Sequence, residues 1–207
     1  PPAPFPRLRR PDRFVAAARR VKVGDPLDED VFYGTMINEQ AVDKGRRFNA
    51  LAKQEGFEVL LDRNTEPLPT ENGYWLRPFV YRGPWRHDSV CLTEEAFSPH
   101  VAIVPVRGLE EAVDAYNDTK YGLSGAVITE SYRKAKYAEE QMRCGIFYWN
   151  LPCIGAGVRL PFGGVKQSGN LIPSAAGLIP VLTHPKAITY NLDTKIMMAQ
   201  GLKADVE

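Results

Sequence analysis

Apolar residues recur at helical spacing in the first quarter of the chain and in short runs further on. Phe14, Val15, Ala18 and Val21 share one side of a basic helix over residues 13–22, which Gly24, Asp25 and Pro26 stop. Asn38 is placed to cap a second helix carrying Ala41, Val42, Phe48 and Leu51, ending near Glu55 with Gly56 beyond it. Residues 58–61 predict a short strand and 64–73 a polar turn region. Residues 74–81 mix aromatics with Pro78, which fits a strand at the edge of a site or a sheet.

The run over 101–106 is rich in β-branched residues, as a buried parallel strand is. A helix over 110–117 follows, with Leu109, Val113 and Tyr116 on one side. A strand lies within 121–129, where Gly122 and Gly125 let backbone approach. Ser131 caps a helix running to Met142, Gly145 closes it, and 146–149 predict another strand. Strand, helix, strand, helix, strand is the pattern of right-handed crossovers. The fold class is therefore α/β, a parallel-rich sheet with flanking helices, in which 101–106, 126–129 and 146–149 are central strands. Residues 155–169 read as a long Gly-rich loop, and 187–190 as a last strand able to pair with another domain or subunit.

Composition narrows the function classes. Hydrophobic residues at 44% and charged residues at 25% suit a packed globular chain and argue against disorder. A net charge of +1 supplies no field for nucleic acid or an anionic membrane surface. No apolar run is long enough to span a bilayer, and the basic N-terminal residues lack the apolar stretch of a secretory signal. Three cysteines without metal-ligand spacing argue against a disulfide framework or a zinc site. A reduced, cytoplasmic setting is the expectation. Prolines make residues 1–11 an extended arm.

Two segments carry candidate chemistry. Glu94-Glu95-Ala96-Phe97-Ser98-Pro99 sets paired carboxylates and a phenyl ring before a buried strand. A carboxylate there can accept two ribose hydroxyls, and a phenyl ring can pack on a nicotinamide. The plainer alternative is a helix N-terminal turn whose acidic residues suit the dipole. Pro161-Phe162-Gly163-Gly164-Val165-Lys166-Gln167-Ser168-Gly169 permits close backbone approach, with Phe162 placed to line a small pocket. A phosphate cradle fits this segment poorly, because the Walker spacing is absent. A plain surface loop remains the alternative.

These segments occur in order with Val23-Gly24-Asp25-Pro26-Leu27, Gly73-Tyr74-Trp75-Leu76-Arg77-Pro78, Asn117-Asp118-Thr119-Lys120-Tyr121-Gly122-Leu123-Ser124 and residues 145–150. In that order and spacing the chain resembles the aldehyde dehydrogenase superfamily along nearly its whole length. The resemblance implies that Glu95 binds the nicotinamide ribose of NAD or NADP and that Phe97 contacts the nicotinamide. Ser98 stands where the family has glycine. The resemblance also implies an aldehyde pocket lined by Asn150, Cys153, Gly155, Ala156 and Phe162. Residues 12–185 would then be a partial catalytic domain and 186–207 a C-terminal strand and tail for oligomerisation. A finer likeness, through Trp149-Asn150, Pro152, Gly155-Ala156, Ser168-Gly169-Asn170 and Pro173-Ser174-Ala175, is to succinylglutamate semialdehyde dehydrogenases. Those enzymes oxidise an acidic aldehyde in arginine catabolism. Arg159 would be a carboxylate fork or, more simply, a solvated loop residue.

The same resemblance places the family's nucleophilic cysteine just before residue 1, with the general-base glutamate and the Rossmann domain further upstream. No catalytic residue is then expected within these 207 residues. The partners implied are a small-molecule aldehyde and either a missing N-terminal half or further copies of the chain. Two alternatives stand beside this. One is a truncated relative that has lost catalysis and serves as a binding or assembly module. The other is a separate enzyme using Cys153. Cys91 lies near the Glu94–Glu95 carboxylates, which raise a thiol pKa, and Cys144 lies at the helix end unfavourable to thiolate. His87, His100 and His184 show no acid–base pairing in the sequence.

Overall fold

The computed structural model describes residues 11–70, 72–157, 159–169, 174–175, 178–192 and 194. The N-terminal arm and most of the C-terminal tail lie outside the described residues. Helix α1 (Pro11–Arg20) opens with proline, whose missing N–H is not needed in a first turn, and closes on Arg19 and Arg20. Helix α2 (Glu39–Gln54) is capped as the sequence predicts: the Asn38 side chain accepts from the Ala41 amide at 2.8 Å. Gly56 follows at φ +79°, the left-handed conformation that terminates helices.

Helix α2 packs its Val42, Phe48 and Ala52 face against a three-stranded sheet of β1 (Glu58–Asp62), β2 (Phe79–Arg82) and β3 (His100–Ile103), in that order. The β1–β2 pair is antiparallel, with a register shift between Val59 and Leu61, and β2–β3 is parallel. Strand β2 lies in the middle and is the most buried part of the fold, with Phe79, Val80 and Tyr81 at 0–1% exposure. Of the two edges that Pro78 suggested, of a site or of a sheet, the sheet edge is thereby excluded. The proline precedes the strand, so no ladder donor is lost, and the Phe79 amide donates to the Pro99 carbonyl at 2.8 Å. The short helix α3 (Val90–Thr93), which sequence periodicity did not reveal, connects the two parallel strands under a Ser89 cap.

Helix α4 (Leu109–Asn117), β4 (Ser124–Val127), α5 (Tyr132–Gln141) and β5 (Ile146–Trp149) supply the predicted alternation. Strands β4 and β5 pair in parallel across α5, whose Ser131 cap accepts from the Lys134 amide. The strands expected to be central are not central among the described residues: β3 is the outer strand of the first sheet, and β4 and β5 pair only with each other in a second. The predicted loop over 155–169 contains a two-residue strand β6 (Pro161–Phe162), paired with β7 (Ser174–Ala175), and a 3-10 turn at Lys166–Ser168. Helix α6 (Leu178–Leu182) follows. Residues 187–190 form no strand here and are exposed, Tyr190 at 77%, because no partner strand adjoins them among the described residues.

No described helix is long and apolar enough to cross a membrane. An apolar cavity of about 670 Å³ lies where α1 meets β2 and β3, walled by Phe14, Ala18, Val21, Phe32, Tyr33 and Val101. Arg63 ties the end of α1 to the sheet. It donates to the Val21 carbonyl at 2.6 Å and grips both carboxylate oxygens of Glu66.

Candidate functional site

The segment Glu94–Pro99 leaves the C-terminal end of α3, so the alternative of a helix N-terminal turn does not hold. Glu94 has extended backbone, with φ −107° and ψ 153°. Phe97 adopts φ +53°, a left-handed conformation uncommon outside glycine, and the residue is 73% exposed. Lys44, one turn into α2, places its Nζ 5.0 Å from the Phe97 ring centroid. Nothing in local sequence spacing joins residues 44 and 97, and the sequence reading missed Lys44.

The two adjacent glutamates are held differently. Glu94 is paired with the Lys120 ammonium, and its other oxygen accepts from the Tyr121 hydroxyl at 3.4 Å. Those partners hold its carboxyl below the usual range, the Lys120 hydrogen bond most of all. Glu95 is exposed and accepts no hydrogen bond among the described residues. Its neighbour Phe97 shares the same exposed segment.

The Pro161–Gly169 segment is fastened to residues 117–122. Lys166, at φ +55°, donates from Nζ to the carbonyls of Asn117 and Thr119, each at 2.8 Å. Burial lowers its pKa. The Val165 amide donates to the Gly122 carbonyl, the Gln167 amide to the Lys120 carbonyl, and the Gly122 amide to Ser168 Oγ, all at 3.0 Å. A Cβ on Gly145 would lie 1.7 Å from the Gly163 carbonyl oxygen, so the close backbone approach expected of these glycines is realised.

Of the residues that the resemblance assigns to an aldehyde pocket, all but the half-buried Asn150 are exposed. Asn150, at φ +55°, clasps Thr129, accepting from its amide at 2.8 Å and donating to its carbonyl at 3.0 Å. Cys153, Gly155, Ala156 and Phe162 are exposed, as is Arg159. The described residues therefore present these positions without enclosing them.

The other cysteines are poor nucleophiles for reasons the structure sharpens. Cys91 is buried, and its thiol is pushed up to about 12, first by burial and then by Glu55. The Glu94–Glu95 pair suggested by the sequence is not the cause. Burial also raises the Cys144 thiol. Two histidines have partners invisible in the sequence. His87 Nδ1 meets Asp118 at 2.9 Å, while His100 joins Asn49 at 2.9 Å and Tyr81 at 3.2 Å. His100 stacks on Phe79, and burial brings its pKa down to about 4. It belongs to the core rather than to the exposed segment.

Residues 10–181 match the model of the "Aldehyde dehydrogenase family". The chain belongs to that family. It is 33% identical over 161 residues to 4-trimethylaminobutyraldehyde dehydrogenase of Sus scrofa, covering 76% of this chain and 32% of that protein. It is 32% identical to 2-aminomuconic semialdehyde dehydrogenase of Homo sapiens, covering 86% of this chain and 37% of that one. The NAD-dependent aldehyde dehydrogenase of Sinorhizobium meliloti superposes with a TM-score of 0.71 at 31% identity, over 77% of this chain and 31% of that chain. The chain thus spans about a third of the length of these relatives. Their names lend no support to the succinylglutamate branch.

Proposed function

We propose that this chain forms the cofactor-ribose clamp and part of the substrate funnel of an enzyme that oxidises an aldehyde to a carboxylic acid. Its nucleophilic cysteine and dinucleotide-binding domain come from sequence outside these 207 residues. The observation that carries the reading is the Glu94–Phe97 segment. Glu94 is engaged by Lys120 and Tyr121, whereas Glu95 is exposed without a hydrogen bond among the described residues, close in sequence to the exposed Phe97 ring. A carboxylate not taken up by a hydrogen bond can accept the two hydroxyls of a ribose, and a largely exposed phenyl ring, with Lys44 at 5.0 Å from its centroid, can still pack on a flat heterocycle.

Bound NAD(P)+ supplies a hydride acceptor. Glu95 and Phe97 would hold its nicotinamide end in one orientation, and the 151–162 surface would close around the aldehyde once covered. Fixing the acceptor and the substrate against each other is the contribution available to a chain without the nucleophile. The aldehyde proposed is short and carries a polar or charged far end. That covers the aminoaldehyde and semialdehyde named for the relatives, with succinylglutamate semialdehyde retained as an acidic test case. Residues 186–207 are proposed to add to a second chain or domain.

The test is NADH production from an aminoaldehyde, succinylglutamate semialdehyde and a simple aliphatic aldehyde, with this chain alone and with the N-terminal half supplied. Turnover is expected only in the combination. Turnover by this chain alone, abolished by Cys153→Ser, would instead make it a separate enzyme with Cys153 as nucleophile. A combination that binds cofactor but turns over nothing would favour the inactive assembly module.

A further inference from the structure

We propose that Lys120 is the positioning residue of this clamp, holding Glu94 so that the adjacent Glu95 carboxylate remains presented to a ribose. The proposal rests on the role given to Glu95 above. Its structural basis is a bridge between two segments far apart in sequence. Residues 117–122 are fastened from behind by the Pro161–Gly169 segment, through the two carbonyls held by Lys166 and the backbone bonds of Val165 and Gln167. Ser168 Oγ adds a further tie to the Gly122 amide. From that fixed base, Lys120 and Tyr121 reach forward to different oxygens of Glu94.

Charge explains why this matters. Glu94 and Glu95 are consecutive carboxylates on a segment outside any helix, and without a cation they repel each other. Lys120 neutralises the first, and its ammonium also feels the charge of the second. Pairing fixes the direction of Glu94, while Glu95, within electrostatic reach of the same ammonium, stays exposed and takes no hydrogen bond among the described residues. Loss of Lys120 would leave two mutually repelling carboxylates with only the weaker pull of Lys44 on Glu94, so that either can take the free position. The plain alternative is a surface ion pair of no consequence, since exposed pairs contribute little to stability. Lys120 and Glu94 are each about 40% exposed, so global stability alone does not distinguish the two.

Hydrogen exchange does. In the full chain, Lys120→Met is expected to speed amide exchange about threefold or more in peptides covering 94–98, with exchange in β2 and the melting temperature unchanged. Lys120→Arg is expected to restore slow exchange. In the combination with the N-terminal half, Lys120→Met is expected to raise KM for NAD(P)+ about tenfold with kcat within roughly twofold of the parent, again restored by arginine. Identical exchange in the methionine variant and the parent would overturn the proposal whatever the enzyme does. Faster exchange with unaltered KM would overturn the cofactor role. A parent combination without cofactor binding would remove the reading of Glu95, and the proposal with it. The exchange difference would still identify that failure as one of function rather than of the Lys120–Glu94 bridge.

Discussion

Ser98 lies against Gly45 of α2. A Cβ added at Gly45 would sit 3.1 Å from the Ser98 Cβ, and the Ser98 hydroxyl is shut away from solvent without a hydrogen-bond partner among the described residues. Buried hydroxyls are costly when unpaired, and relief of that cost outweighs the little that one oxygen adds to packing. Ser98→Ala is therefore expected to stabilise the chain by about 1 kcal/mol, read as a higher midpoint in urea with unchanged slope. A lower midpoint would mean that the hydroxyl has a partner.

Gly45→Ala should do the opposite. Helix propensity alone favours alanine by about 1 kcal/mol. The new methyl would, however, meet the Leu76 Cδ2 at 2.3 Å, and Leu76 is 2% exposed with little room to turn. Overpacking of this kind costs about 1–3 kcal/mol. A net loss is expected by thermal melting, and a net gain would show that Leu76 repacks freely.

Gly145→Ala tests the junction with the Pro161–Gly169 segment. Here the obstructing atom is the backbone oxygen of Gly163, which cannot swing aside as a side chain can. The expected loss is about 2 kcal/mol or more, together with faster hydrogen exchange over 161–169. An unchanged midpoint would argue that this segment is not seated beside β5.

The buried His100 makes stability depend on acid. Its folded pKa is lowered to about 4, against an ordinary value near 6.5, and burial is the cause. The unfolded chain therefore binds this proton more readily. Stability is fully present above about pH 6.5 and is lost as the pH falls towards 4, by roughly 2–3 kcal/mol after allowing for partial solvation. His100→Gln cannot titrate, and its stability profile should be flatter across this window. Parallel profiles would assign the acid sensitivity elsewhere.

Glu95→Gln addresses the clamp directly. A neutral amide accepts ribose hydroxyls less strongly than a carboxylate, so in the combined enzyme the variant should lose about 1–3 kcal/mol of cofactor handling, measured through kcat/KM for NAD(P)+. Cys153→Ser should leave that activity nearly intact. A Glu95→Gln enzyme with the parent's kcat/KM would remove the ribose role from this carboxylate.

What the sequence determined by itself was local or periodic. Asn38 and Ser131 announce their helices because a cap bonds a backbone amide three residues on, and Gly56 marks the end of α2 because few residues tolerate positive φ. The alternation through α4, β4, α5 and β5 was legible because each helix shows one apolar face, and the motif order carried the family. Tertiary structure decided the rest. Pro78 pointed to an edge, yet β2 is central, because strand position depends on pairing with β1 and β3 and not on the strand's own residues. Residues 187–190 have strand composition but no strand, since a ladder needs a neighbour that the described chain does not provide. The partners of the clamp were equally hidden. Lys120 meets Glu94 across 26 positions and Lys44 covers Phe97 across the fold, because side chains that share no local repeat meet only when the elements carrying them pack.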